Sequence, residues 1–216
     1  GEVKEILEHA TIKGVSLTGS EKAGAEVASI AGKNIKKSLL ELGGSDAFIV
    51  LDDADLDEAA RVGALARLQN CGQTCVAAKR FVIQKNIEFD FLPKFIEEYK
   101  KYVPADPKLK DTKLAGMARP DLADDLEKQY QKALEYGAEA IIPLERISKN
   151  EFNPGLIRVE EGNPILQEEL FGPLGMLMIA ENDDDVLEIA NNIPIGLSNS
   201  VWTKSKERQN FFIDGL

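Results

Sequence analysis

The feature that most constrains this chain is an alternation, kept up from end to end, between short apolar runs and stretches of helical periodicity. Gly14–Thr18 (GVSLT), 37–42 (KSLLEL), 47–51 (AFIVL), Arg80–Gln84 (RFVIQ), 140–144, 156–159, Leu174–Ala180 (LGMLMIA) and 199–203 read as strands, the first of them buried. Helical spacing starts with Val3, Ile6 and Leu7 and returns at 21–31, after the turn Gly19-Ser20. Asp55 sits where an N-cap belongs, with Glu58 three residues on, ahead of Leu56, Ala59, Ala60, Gly63 and Ala64. Phe91, Leu92, Phe95, Ile96 and Tyr99 form a second stripe, which places Pro93 in a first turn. Leu122, Leu126, Tyr130, Ala133 and Leu134 form a third, stopped by Gly137. Shorter helices are expected at 184–191 and 206–212, and a surface loop at 103–120. Strands alternating with helices predict an α/β fold whose sheet is mainly parallel and covered on both faces.

Charge narrows the function classes. The 216 residues carry 26 basic and 37 acidic side chains, a net charge of −11. Such a surface repels phosphate backbones and anionic lipid, so neither a nucleic acid nor a membrane is an expected partner. No apolar run reaches the roughly 18–20 residues that span a bilayer. Two cysteines point to a reducing compartment, the cytoplasm, rather than to a disulfide scaffold. A single histidine, His9, leaves little room for His-based triads or metal sites. Gly1 and the closing QNFFIDGL look like cut ends, so the chain reads as a piece of a longer protein.

Four segments hold residue types suited to chemistry. In Asn70–Ala77 (NCGQTCVA), a glycine turn runs into Cys75. If Val76 onward is helical, exposed N–H groups and the helix dipole favour the thiolate, the nucleophilic form. An inert buried cysteine is the plainer alternative. In Glu41-Leu42-Gly43-Gly44 a carboxylate ends an apolar strand, where a partly buried general base would sit; a surface glutamate at a sheet edge fits as well. Thr18–Gly24 (TGSEKAG) links a strand to a helix and offers backbone N–H groups and a hydroxyl to a pyrophosphate, although an ordinary βα turn has the same look. Glu169-Leu170-Phe171-Gly172-Pro173 could hold a carboxylate and a ring beside a ligand, or bury its phenylalanine in the core.

Taken in order, TGSxxxG, ELGG, GQxC and ExFGP resemble the aldehyde dehydrogenase superfamily, and LDDADLDEA (51–59) and IPIGLSNSVWT (193–203) are similar to its text. The resemblance spans essentially the whole chain. It implies an aldehyde-dehydrogenase-like α/β fold, a parallel sheet flanked by helices, with a partial Rossmann-like portion at the N-terminus. Residues 1–44 would be the C-terminal portion of an NAD(P)-binding domain, and 45–216 a catalytic domain truncated at its C-terminal end. It also implies roles. Cys75 attacks the aldehyde to give a thiohemiacetal and then a thioester, its own N–H serving the oxyanion. Glu41 activates the hydrolytic water. Gly19, Ser20, Leu42, Glu169 and Phe171 bind the cofactor, NAD or NADP. No metal is implied, and the full-length parent would be a homo-oligomer, a dimer or tetramer.

The wording of 41–56, 69–81 and 116–129 is most similar to bacterial succinate-semialdehyde dehydrogenases, which implies a small carboxylated aldehyde as substrate. An arginine that some of that group carry six residues before the cysteine is Gln69 here. The family's earlier half, with its oxyanion-hole asparagine and adenine-ribose lysine, is absent, so these residues alone are expected to be inactive. A non-catalytic structural or interaction role and a cofactor-independent thiol esterase are the alternatives. Cys71, four residues before Cys75, reads as a small filler or else as a redox partner. His9 reads as a solvated helix residue, Asp183-Asp184-Asp185 as a capping cluster, and Trp202, Met176 and Met178 as core-facing strand residues.

Overall fold

A computed structural model describes residues 2–216, and the chain divides after Gly44 into two compact units. The smaller unit runs α1 (Glu2–Glu8), β1 (Gly14–Thr18), α2 (Glu21–Lys33) and β2 (Lys37–Glu41). The two strands pair in parallel from Gly14 opposite Lys37 to Thr18 opposite Glu41. Ser20 caps α2, its hydroxyl oxygen accepting from the Ala23 N–H at 3.3 Å. Val27 and Ile30 of that helix bury against Leu7, with Val15 and Leu17 packed beside them. The Lys36 ammonium donates to the carbonyls of Leu7 and His9 at the C-terminal end of α1, where a helix leaves acceptors unpaired. β1 is not the buried strand its sequence suggested. Val15 and Leu17 are partly buried under the helix side, and Gly14, Ser16 and Thr18 are exposed, because each face of a strand takes every second residue.

The larger unit contains β3 (Ala47–Val50), α3 (Leu56–Leu68), β4 (Arg80–Gln84), α4 (Glu88–Tyr99), α5 (Pro120–Glu135), β5 (Glu139–Ile142), a short hairpin of β6 (Glu145–Arg146) with β7 (Phe152–Asn153), β8 (Gly155–Arg158), β9 (Leu174–Ala180), α6 (Asp183–Asn191), β10 (Ser200–Trp202) and α7 (Lys206–Gly215). Six strands form one sheet in the order β10-β3-β4-β9-β8-β5. Every pairing is parallel except β5 with β8. β3 and β4 are buried along their whole length, which is why they read as unbroken apolar runs.

Side-chain alternation on β4 shows how both faces are covered. Phe81 points into an aromatic layer with Phe48 of β3 and Phe95 of α4, at ring-centroid distances of 5.4 and 4.5 Å. A Cβ at Gly63 of α3 would meet all three rings at 3.1 to 3.4 Å, so glycine lets that helix lie on the layer. Its neighbour Arg80 points to the opposite face. There it donates to the carbonyls of Ile189 and Ala190 in the last turn of α6, at 2.6 and 2.7 Å, and to that of Ser45. A buried arginine is tolerated at this position because it supplies what a helix C-terminus lacks. Burial still pushes its pKa down to about 10, with Asp46 opposing the fall.

Asp55 caps α3 as expected, accepting from the Glu58 N–H at 3.2 Å. Gly137, at φ 91°, ends α5: its N–H donates to Leu134 and that of Ala138 to Ala133, the paired bonds of a left-handed helix stop. Pro93 is not in a first turn. α4 starts at Glu88, directly after the single turn Lys85–Ile87, so the proline lies inside the helix. Asn182 caps α6, and Asp183, Asp184 and Asp185 fill its first turn, where the dipole favours negative charge. Met176 and Met178 are buried, and Trp202 packs on Phe48 at 5.5 Å. His9 lies just past the end of α1 and is exposed. No helix among the described residues is long and apolar enough to cross a membrane.

Arg208 ties α7 to the sheet. Its guanidinium donates to Asp52, Asp53, Asp183 and Gln84 at 2.5 to 3.1 Å. The Asp52 carboxyl is held below the usual aspartate value, chiefly by the Arg208 bond. Burial pushes the Asp53 carboxyl up, but bonds from the Thr203 hydroxyl and from the Lys204 and Ser205 N–H groups outweigh it and leave a net depression. A depressed folded pKa gives stability that is complete above the unfolded value, about 3.9, and is lost as pH falls through the folded one. Arg208→Met is therefore expected to cost about 1–2 kcal/mol at pH 7. In urea titrations its deficit against wild type should shrink between pH 4 and pH 2; a constant or growing deficit there would contradict the assignment.

Candidate active site

The residues singled out from sequence fall in two groups, one on each unit. On the smaller unit, parallel pairing places Thr18 beside Glu41 at the C-terminal ends of β1 and β2. The Gly19 N–H donates to the Glu41 carbonyl at 3.0 Å, so the TGS turn and the ELGG segment are joined directly. A Cβ at Gly24 would stand 2.6 Å from Leu42 Cδ2: this glycine lets α2 descend onto Leu42, which is half-buried. Glu41 itself is exposed at the strand end, not partly buried as expected. The arrangement presents the N-terminus of a 13-residue helix at the ends of parallel strands, a place where phosphate oxygens find N–H donors.

On the larger unit, Cys75 lies in a turn closed by the Ala77 N–H donating to the Thr74 carbonyl at 3.2 Å, and it is half-buried. No helix follows it. The expected helix N-terminus is absent because β4 begins only five residues later, and Ala77, Ala78 and Lys79 bury as the chain enters the sheet. The approach to Cys75 is strained instead. Asn70, Cys71 and Gly72 are consecutive left-handed residues, at φ 53°, 56° and 69°. Two of these are not glycine, a conformation that persists only where surroundings over-determine it. Arg67 supplies one restraint, donating to the Gly72 carbonyl from a fully buried position in α3. Asn70 Nδ2 donates to the Gln73 carbonyl at 3.0 Å, and Gln73 Oε1 accepts from the Ala118 N–H at 2.8 Å.

Gly72 and Gly172 touch. A Cβ on Gly72 would lie 2.3 Å from the Gly172 carbonyl oxygen and 2.5 Å from Arg67; one on Gly172 would lie 2.5 Å from Leu126 of α5. The GQTC and FGP motifs are thus two sides of one contact: Gly72 must be glycine because its Cβ would meet the Gly172 backbone, and Gly172 because its Cβ would meet the Leu126 side chain. α5 also fixes the acidic loop: Glu168 accepts from Gln129 and Lys132, and Gln129 donates to the Glu169 carbonyl at 3.2 Å.

Lys79 joins Cys75 and Glu169. Its side chain is wholly buried, and its ammonium donates to the carbonyls of Thr74 and Cys75 at 3.2 and 2.5 Å. It pairs with Glu169 Oε1 at 3.0 Å. Burial lowers its pKa, and the Glu169 carboxylate opposes that fall. Phe171, on the same loop, is 38% exposed and so is not a core ring. Gln69 is exposed. Burial raises the Cys71 thiol to about 11, against the pull of Arg67. At neutral pH it is a thiol, a poor attacking group for disulfide exchange.

Sequence reasoning missed Arg67, Gln73 and Lys79. Arg67 is legible in retrospect, since it follows Ala60, Gly63 and Ala64 on the buried face of one helix. Lys79 carried a weaker sign, a cation where the chain should already be entering an apolar strand.

Comparison with known proteins decides the family. The Aldehyde dehydrogenase family model matches residues 2–216. The chain belongs to the aldehyde dehydrogenase family. The aldehyde dehydrogenase fold that this implies, α/β with a mixed sheet flanked by helices, is the one observed. A probable succinate-semialdehyde dehydrogenase [NADP(+)] of Synechocystis is 38% identical over 98% of this chain and 47% of its own length. The succinate-semialdehyde dehydrogenase [NADP(+)] of Deinococcus radiodurans is 36% identical over 96% of this chain and 44% of its own. Among solved structures, the succinic semialdehyde dehydrogenase of Streptococcus pyogenes, in complex with NADP+, superposes with a TM-score of 0.95 at 34% identity, covering all of this chain and 48% of that one. The chain therefore spans about half the length of the aldehyde dehydrogenases it matches.

Proposed function

We propose that this chain is the end of the cofactor-binding domain (1–44) and most of the catalytic domain (45–216) of a longer cytoplasmic enzyme. That enzyme oxidises a small semialdehyde, with succinate semialdehyde as the leading candidate, to the carboxylic acid. NADP is favoured over NAD because the relatives at 36–38% identity carry NADP in their names. The cofactor, when bound, supplies the hydride acceptor. Gly19, Ser20 and Leu42 would lie along it at the helix N-terminus, which suits a pyrophosphate, and Glu169 and Phe171 would hold its reactive end. Cys75 forms the bond to the aldehyde carbon, its N–H takes the charge that develops on oxygen, and a thioester remains after oxidation. Glu41 then takes a proton from the water that displaces the sulfur. The exposure of Glu41 suits a base that must meet a solvent water.

The observation that carries this reading is Lys79. A half-buried cysteine on a pinned turn and a carboxylate on a separate loop are fastened to one buried cation, which brings two of the candidate site residues to one point. The full-length protein is expected to reduce NADP faster than NAD, followed by NADPH absorbance. Its kcat/KM should be at least about tenfold higher for succinate semialdehyde than for acetaldehyde or benzaldehyde. Equal values would remove the substrate assignment, and no reduction with any aldehyde would remove the function. A homo-oligomer, dimer or tetramer, is part of the same proposal and is read by sedimentation.

A further inference from the structure

We propose that Lys79 is the positioning residue of the reaction: its ammonium fixes the two peptide planes on either side of the Cys75 Cα, and with them the backbone N–H that meets the oxyanion. The inference rests on the reading of Cys75 as the nucleophile.

The argument starts from peptide geometry. The Thr74 carbonyl and the Cys75 N–H belong to one planar trans unit and point in opposite directions. Whatever fixes that carbonyl fixes the direction of the N–H. The Cys75 carbonyl belongs to the next plane. Lys79 donates to both oxygens, at 3.2 and 2.5 Å, and the Ala77 N–H donates to the Thr74 oxygen as well. With both planes held, φ and ψ of Cys75 have no freedom left, and the base of the sulfur is fixed along with the N–H. An ammonium on the Thr74 carbonyl also polarises that amide and strengthens its N–H as a donor. Since no helix follows Cys75, the positive charge that a helix N-terminus would have supplied comes from Lys79.

Energetics favour a purpose for this cation. Burying an ammonium costs several kcal/mol unless all its donors are used, and an apolar residue of similar volume would pack there without that cost. Here the three donors meet three acceptors, and the third, Glu169, ties the acidic loop to the same point. In the oxidation, the Cys75 S–H proton passes to solvent water, the sulfur's electron pair forms the sulfur–carbon bond, and the carbonyl π pair moves to oxygen, which takes the negative charge. Hydride then leaves carbon with its electron pair for oxidised NADP, and the oxygen recloses its double bond to leave the thioester. Lys79 neither gives nor takes a proton. Its effect through the Cys75 N–H is confined to the moment when oxygen is charged, so that part belongs to kcat rather than to aldehyde binding, while its pairing with Glu169 acts on cofactor binding and is read separately.

The test uses the full-length enzyme with Lys79→Met, which keeps length but not charge, and Lys79→Arg, which keeps charge. Active sites are counted by stoichiometric alkylation of Cys75, and folding is followed by circular dichroism. The expected result is a kcat per alkylatable site, at saturating NADP, about 10²-fold lower in Lys79→Met, with KM for aldehyde within about threefold of wild type. The single-turnover burst of NADPH should slow in parallel, and Lys79→Arg should recover at least about tenfold of the loss. A Lys79→Met enzyme with wild-type kcat overturns the inference, as does a loss that appears wholly as raised KM. If Lys79→Met does not fold, Lys79→Arg decides: kcat within about tenfold of wild type supports the role, and a hundredfold loss in a folded Lys79→Arg protein overturns it. Wild-type protein that reduces no cofactor with any aldehyde sinks the functional reading beneath, a result distinct from an active enzyme indifferent to Lys79.

Discussion

Cys75→Ala in the full-length protein is expected to lower kcat for NADP-dependent aldehyde oxidation by at least about 10³-fold, with the dissociation constant for NADP within about threefold of wild type. The thiol makes the only covalent bond between protein and substrate in the proposed reaction, so the loss falls on the chemical step and not on cofactor binding. Steady-state NADPH production and fluorescence titration of NADP measure the two quantities. Cys71→Ala is the control. Its thiol is buried and pushed up to about 11, and it has no part in the proposed chemistry, so activity should stay within about threefold. A Cys75→Ala enzyme that keeps a tenth of wild-type kcat would end the covalent mechanism. Comparable losses from both cysteines would point instead to damage of the strained segment 70–72 that leads into the Cys75 turn.

Gly72→Ala is expected to be the most destabilising single-methyl change in the larger unit. Two costs add at this position. The backbone is left-handed at φ 69°, a region in which a side chain is strained, and the new Cβ would stand 2.3 Å from the Gly172 carbonyl oxygen and 2.5 Å from Arg67. Neither obstacle can swing away: one is backbone, and the other is a fully buried arginine bound to the same turn. Together they are worth about 3 kcal/mol or more. In urea that is a fall in midpoint of about 1 M for a protein of this size. The contrast is Gly137, also left-handed at 91° but with open space around its Cβ position, where Ala should cost only the backbone strain. Equal midpoints for Gly72→Ala and Gly137→Ala would show that the glycine–glycine contact is not tight.

Arrangement of elements was legible because secondary-structure period is written locally. Phe91, Phe95 and Tyr99 repeat at four residues and are all fully buried on one face of α4. The runs AFIVL and RFVIQ have no polar alternation, and both lie in the middle of a sheet covered on two sides. Caps such as Asp55 and the Gly137 stop were readable for the same reason, since their partners lie within five residues. GVSLT misled because an apolar run records hydrophobicity and not how many layers cover it. Pro93 misled because α4 starts on a preceding single turn that has no periodic signature. The antiparallel β5 was invisible, since strand direction is a property of pairs.

By itself the sequence determined the family, the α/β architecture, the strands and helices, and which residue types stand at Cys75, Glu41 and Glu169, because motif wording and periodicity are properties of neighbours along the chain. Only tertiary structure decided that Cys75 has no helix behind it, that Gly72 and Gly172 press backbone to backbone, and that one buried lysine fastens the cysteine turn to the acidic loop. The last two facts join residues ninety or more positions apart, and a contact of that kind is set by how the layers stack, which no local pattern records.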